Sequence, residues 1–120
     1  MTSKEILTSL ESESEIELVV TGRRSGKAFP RPIWFVLGED RESIMLVPMN
    51  GRKTQWYLNV KENPSVGLKV GGHYFEGNMS EVEANRLKNV LGMFDAKYGK
   101  NQMQNYYTNL DVAMEVPLPD

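Results

Sequence analysis

Two short glycine-punctuated turns, Gly22 to Lys27 (GRRSGK) and Asn50 to Thr54 (NGRKT), carry Arg23, Arg24, Lys27, Arg52 and Lys53, and Arg31 follows the first of them. Guanidinium groups grip a phosphate through paired hydrogen bonds, and an ammonium adds a mobile point charge. Ser25, Thr54 and the amides beside Gly22, Gly26 and Gly51 add neutral donors. The second turn leads into a segment with helical spacing, where free amides and the helix dipole favour an anion. The competing reading is that these cations only solubilise loops and pair with the many glutamates. Donor-rich cationic turns in tandem favour the anion site.

Other chemistries lack their residues. The first turn has neither the four-residue gap nor the terminal Gly-Lys-Ser/Thr of a nucleoside triphosphate loop, and no dinucleotide GxGxxG is present. Zero cysteines exclude thiolate chemistry and disulfides, and a single histidine excludes a multi-histidine metal centre within one chain. No metal site is expected. Ser25 has no recognisable base beside it, and His73 follows two glycines without a visible partner. No spacing singles out Tyr57, Tyr74, Tyr98, Tyr106 or Tyr107 as an acid. Trp34 and Trp56 either stack on a planar ring or fill core space. A bound redox cofactor that carries the difficult chemistry explains such a site more economically than side-chain catalysis, and no catalytic residue is assigned.

The elements that position the turns are mostly strands. Ile16, Leu18 and Val20 alternate in a first strand from Glu15 to Thr21. Ala28 to Pro32 is an extended approach, because each of its two prolines disfavours a helical residue before it. Ile33 to Leu37 reads as a strand buried on both faces, and Ser43 to Val47 as a third strand after a charged hairpin from Gly38 to Glu42. Thr54 can cap a helix from Thr54 to Glu62, with Trp56 and Val60 on one face. Val66 to Val70 and His73 to Val82 form a hairpin about Gly71 and Gly72, with a bulge expected near Gly77. Glu83 to Tyr98 has the strongest helical period, and Gly99 to Asn109 is a connection or irregular helix. Val112 to Leu118 closes the count at about six antiparallel strands. A short helix capped by Ser3 is expected over Met1 to Leu10, and Ser9 to Ser14 is expected as a solvated connection.

With 120 residues, 40% of them apolar and 25% charged, the chain is expected to fold as one mainly β domain with helices, residues 1–14 forming a peripheral segment. The net charge of −2 gives no overall case for nucleic acid. No apolar run approaches the ~20 residues of a membrane span, and the first residues are acidic. The cytoplasm is the expected compartment.

The stretches TGRRSGKAFPRPIWFV (Thr21 to Val36) and GRKTQWYLNVKENPSVGLKV (Gly51 to Val70), with the apolar strand between them, resemble the deazaflavin-dependent nitroreductase family. That family lies within the pyridoxamine phosphate oxidase-like, FMN-binding split-barrel group. The resemblance is strongest from Glu15 to Gly72. It implies a homodimeric split β-barrel that binds coenzyme F420, an 8-hydroxy-5-deazaflavin, and passes hydride to a small reducible organic substrate. By position, Arg23, Arg24, Ser25 and Lys27 would border the phosphate-bearing tail, with Arg31 and Pro32 shaping the adjoining entrance. Asn50, Gly51, Arg52, Lys53, Thr54, Trp56 and Asn59 would form the other wall. The compact NGRKT turn also resembles the Arg-Lys grip of FMN-binding relatives, so an FMN oxidoreductase is the alternative. A non-catalytic cofactor- or anion-binding domain is the alternative of another class.

Overall fold

A computed structural model describes residues 4–119 of the chain. One antiparallel sheet has the order β2 (Ala28–Ile33), β1 (Ile16–Thr21), β5 (Ser65–Val70) and β6 (His73–Asn78). The other has the order β3 (Val36–Leu37), β4 (Ser43–Leu46), β8 (Met114–Pro117) and β7 (Ser80–Glu81). The chain changes sheet three times, directly between Ile33 and Val36 and at Met79, and by a longer connection between Leu46 and Ser65, and the two sheets form a split barrel. Four helices accompany them: α1 (Lys4–Ser12), α2 (Gln55–Glu62), α3 (Leu87–Tyr98) and α4 (Lys100–Tyr106).

The eight strand segments contain the six expected ones. The difference lies at the corners and in Ala28 to Ile33, which pairs with β1 along its whole length, from Ile16 opposite Ile33 to Thr21 opposite Ala28. Prolines have no N–H for a ladder, so Pro30 and Pro32 are tolerated here because β2 is an edge strand. The expected strand from His73 to Val82 divides at Met79 instead of bulging at Gly77. A Cβ at Gly77 would lie 2.8 Å from Val116 Cγ1, so glycine lets β8 approach there. The N-terminal helix also runs further than expected, to Ser12, and places Leu10 in the core at 1% exposure. The Ser3 cap lies outside the described residues.

Two apolar layers follow from strand periodicity. Leu18, Ile44, Leu46, Leu68 and Val116 meet between the sheets, joined by Trp56, Tyr57 and Val60 of α2. Met45 and Val47 point to the other face of β4 and pack with Val36, with Val90 and Phe94 of α3, and with Met103 of α4. The run from Ile33 to Leu37 is therefore apolar throughout because Phe35 serves the first layer and Val36 the second.

The corner between β2 and β3 is held by the last turn of α3. Tyr98 Oη accepts the Phe35 N–H at 2.9 Å and lies 2.8 Å from the carbonyl oxygens of both Ser14 and Phe35. Lys97 Nζ donates to the same Phe35 oxygen at 2.9 Å, and the Trp34 ring stacks on Tyr98 at 4.3 Å and 4°. Substituting Tyr98→Phe removes the hydroxyl and leaves the Phe35 N–H without this acceptor. The expected loss is about 1–3 kcal/mol in urea unfolding, with the denaturant slope unchanged.

Candidate functional site

β1 and β2 share a register in which Val20 faces Phe29 and Leu18 faces Arg31. Directly opposed residues point to the same side of a sheet, so Phe29 and Arg31 fall on the side of buried Leu18 and Val20. Val20, Phe29 and Arg31 form one wall of a cavity of about 340 Å³. The connecting turn supplies Gly22, Arg23, Arg24 and Ser25, and α2 supplies Gln55 and Asn59.

The turn is closed by Gly22 N–H donating to Lys27 O at 2.8 Å and Gly26 N–H donating to Gly22 O at 3.0 Å. Lys27 N–H also donates to Ser25 Oγ at 3.2 Å. A Cβ at Gly22 would stand 2.6 Å from the Phe29 ring and 2.8 Å from Ser25 Oγ, so a larger residue there would have to displace both side chains from the cavity rim. Gly26 adopts a φ of 70°, which also favours glycine.

Arg23 is fixed across the cavity. Its Nη1 donates to Asn59 Oδ1 at 2.7 Å, its Nη2 to Gln55 Oε1 at 3.1 Å, and its backbone N–H to the same Asn59 oxygen at 3.2 Å. Among the described residues, carboxylate ion pairs are made by Arg41, Arg52, Lys61 and Arg86. None of these lines the cavity, so Arg23, Arg24 and Arg31 keep their charge there. Three uncancelled guanidinium groups around one concavity favour an anion.

The structure thus brings together Arg23, Arg24, Ser25, Arg31 and Asn59 of the expected site residues. Lys27 is exposed beyond the lining, and Pro32 lies opposite Glu17, on the other face of β2 from Arg31. The second turn is engaged elsewhere. Arg52 Nη1 donates to Tyr57 Oη at 2.7 Å and to Glu81 at 2.8 Å, and its backbone N–H to Asp111 at 3.1 Å. The Tyr57 hydroxyl also donates to Glu81, and this bond, followed by Arg52, holds the Glu81 carboxyl below its ordinary pKa. Gly51 is packed against Asp111 with a φ of 55°. Thr54 sits at the helix N-cap, yet its Oγ1 accepts the Asn50 N–H at 2.8 Å and closes the preceding turn instead. Lys53 is exposed, and Trp56 is a core residue at 3% exposure.

Val20, Gly22, Phe29 and Gln55 are cavity residues absent from the expected set. Two of them had a signal in the sequence: Gln55 stands one helical turn before Asn59, and Phe29 stands two residues before Arg31 on the same strand face.

Residues 2–118 match the F420H(2)-dependent quinone reductase family. The chain belongs to that family. Its cofactor is coenzyme F420. The fold is similar to that of solved proteins of distant sequence. An F420-H2 dependent reductase, FDR-A, is 22% identical over 87% of this chain and 94% of its own, with a TM-score of 0.68. The conserved hypothetical protein Rv2991 from Mycobacterium tuberculosis is 21% identical over 100% of this chain and 82% of its own, with a TM-score of 0.76. The heme storage protein HutZ from Vibrio cholerae reaches 0.72 at 15% identity, over 100% of this chain and 92% of its own. No curated protein sequence matches the chain. The family's cofactor has an anionic, phosphate-bearing tail, and the donor set of the cavity suits it: cationic forks and a serine hydroxyl, with an aromatic edge from Phe29.

A second cluster surrounds Trp34, just past the end of β2. The Trp34 ring, stacked on Tyr98, meets Tyr106 edge-on at 5.6 Å and 78°, and Tyr106 is 54% exposed. Burial raises the Tyr98 phenol to about 12, and its hydroxyl is engaged by backbone, so it is a structural group and not a proton donor near neutrality. Lys97 Nζ sits 3.6 Å from the centre of the Phe35 ring, and desolvation lowers its pKa from 10.5 to about 8.

These two shifts act on stability in opposite senses. Between about pH 8 and 10.5 the folded protein has released the Lys97 proton while the unfolded chain retains it, so stability rises with pH. From about pH 10 to 12 the unfolded Tyr98 phenol ionises first, and stability falls. The urea midpoint of the wild type should increase from pH 8 to 10, and Lys97→Met should flatten that increase. An unchanged slope in the variant would remove Lys97 as its source.

Proposed function

We propose that the protein is an enzyme that reduces a quinone-type acceptor with reduced coenzyme F420, and that it works as a homodimer. The observation that carries this reading is the cavity with three unneutralised arginines in a chain of the F420H(2)-dependent quinone reductase family. When bound, reduced F420 supplies a hydride, which with one proton converts a quinone to a hydroquinone. The chain's own residues bind and orient. Arg24 and Arg31 hold the phosphate-bearing tail, Arg23 closes the cavity from the α2 side, and Ser25 adds a neutral donor. Phe29 shields one wall from water. Lys53, exposed on the second turn, is a further proposed contact to the tail. The Trp34 ring, stacked on Tyr98 and met edge-on by exposed Tyr106, favours a planar acceptor, and Trp34 follows Arg31 by three residues just past the end of β2.

Dimerisation is supported by resemblance to the split-barrel group and by a solved structure described as a domain-swapped dimer, 22% identical over 87% of this chain and 80% of its own, with a TM-score of 0.68. Light scattering should give twice the chain mass.

Binding is tested by titrating oxidised F420 into the purified protein, with FMN as the competitor. Arg24→Ala and Arg31→Ala should each weaken F420 by about tenfold or more, the scale of a lost hydrogen bond to a charged group. Lys53→Ala should weaken it less, and an unchanged affinity would take the second turn out of the grip. Tighter binding of FMN than of F420, or no turnover of a soluble naphthoquinone with reduced F420, would overturn the reading.

A further inference from the structure

Among the described residues, Arg41, Arg52 and Arg86 are each paired with a carboxylate, and Arg23 is held differently. Arg52 is held by the carboxylate of Glu81, which cancels its charge. Arg23 is held by amide oxygens alone, Asn59 Oδ1 on Nη1 at 2.7 Å and Gln55 Oε1 on Nη2 at 3.1 Å. We infer that Asn59 and Gln55 are positioning residues, a neutral clamp that orients the Arg23 guanidinium across the cavity while leaving its full charge for the anionic tail. This rests on the proposed F420 site.

Gln55 and Asn59 are four residues apart on α2, so their side chains leave one face of the helix in the same direction. Each Asn59 lone pair facing the turn is occupied by Arg23, one by Nη1 and one by the backbone N–H at 3.2 Å. Both donors require the amide oxygen at that position, which fixes the amide orientation. The double contact ties the side chain of Arg23 and its backbone to the same atom. A guanidinium has five N–H groups, and the clamp uses two of Arg23's. The other three stay available, and the long side chain is already ordered before a ligand arrives, which lowers the entropic cost of gripping it. An aspartate at position 59 would preserve this geometry and cancel the charge, as Glu81 does for Arg52.

The test uses the full chain with two readouts. The first is nitrogen NMR of the Arg23 guanidinium without ligand. It should show restricted rotation in the wild type and in Asn59→Asp, and averaged signals in Asn59→Ala; averaged signals in the wild type would remove the clamp. The second is the affinity for oxidised F420 in a double-mutant cycle. Asn59→Ala should cost about fivefold to tenfold in the wild type and under about twofold in an Arg23→Ala background, because it acts through Arg23. Gln55→Ala, an exposed position, should follow the same pattern and covers the case in which an Asn59 variant folds poorly. An equal loss in both backgrounds would make Asn59 a direct ligand contact and overturn the positioning role. Asn59→Asp should bind more weakly than wild type despite an ordered Arg23; wild-type affinity there would overturn the requirement for neutrality. If Arg23→Ala, Arg24→Ala and Arg31→Ala all leave F420 affinity unchanged, the cofactor reading itself fails, while the NMR readout still decides the clamp.

Discussion

The register between β1 and β2 is the constraint on which the site depends. Leu18 and Val20 must face the barrel interior, since each is at most 1% exposed, and the residues opposite them, Arg31 and Phe29, are carried to that same side. A slip of one residue would send both to the outer face and bury Pro30 and Pro32 in their place. The turn that joins the strands therefore has little freedom. It must reverse the chain above the Phe29 ring, and Gly22 is the residue that leaves room for it. Core packing, turn geometry and the position of three arginines are one coupled arrangement.

Charge placement follows a division between holding the fold and presenting a site. Arg52, Tyr57 and Lys61 gather around the Glu81 carboxylate between the second turn, α2 and β7. Arg86 with Glu115 and Arg41 with Glu11 likewise bridge elements distant in sequence. Such exposed pairs contribute little stability individually, but they remove cations from competition for an external anion. The arginines of the first turn lack carboxylate partners among the described residues, even though the chain has more acids than bases, 16 against 14. The positive field is therefore local, and it arises from which cations are left unpaired.

Much of this was legible in the residues. The alternation of Ile16, Leu18 and Val20, the paired glycines at 71 and 72, and the helical spacing from Leu87 to Tyr98 each report a local period, and each element forms where the period lies. The first turn was legible as a cationic, donor-rich connection because its donors are contiguous, and Gly22 to Ser25 of it line the cavity. Sheet changes were not legible: Phe35 and Val36 are both apolar, and nothing local says that they serve different layers. The partners of the second turn were not legible for a related reason. NGRKT has the composition of a phosphate grip, but the partners that occupy Arg52 and pack against Gly51, namely Glu81 and Asp111, lie 29 and 60 residues away. Composition records which groups are present, and only tertiary contacts determine which are already satisfied.

Pro30 and Pro32 join the sheet edge to the site. β2 is the edge strand of its sheet, and an unprotected edge invites pairing with another chain. Because a proline cannot donate, the ladder bonds to β1 must come from Phe29, Arg31 and Ile33, and the positions between them present no N–H outward. The edge is thereby blunted without charges on its outer face, where Pro30 lies opposite Val19 and Pro32 opposite Glu17. The alternation that places proline on one face necessarily places Phe29 and Arg31 on the other. A strand that has to stay unpaired at its edge and still present a cation and an aromatic ring to a cavity is satisfied by the pattern Phe-Pro-Arg-Pro. That requirement explains why a segment that reads as an extended approach is a full strand and one wall of the cavity.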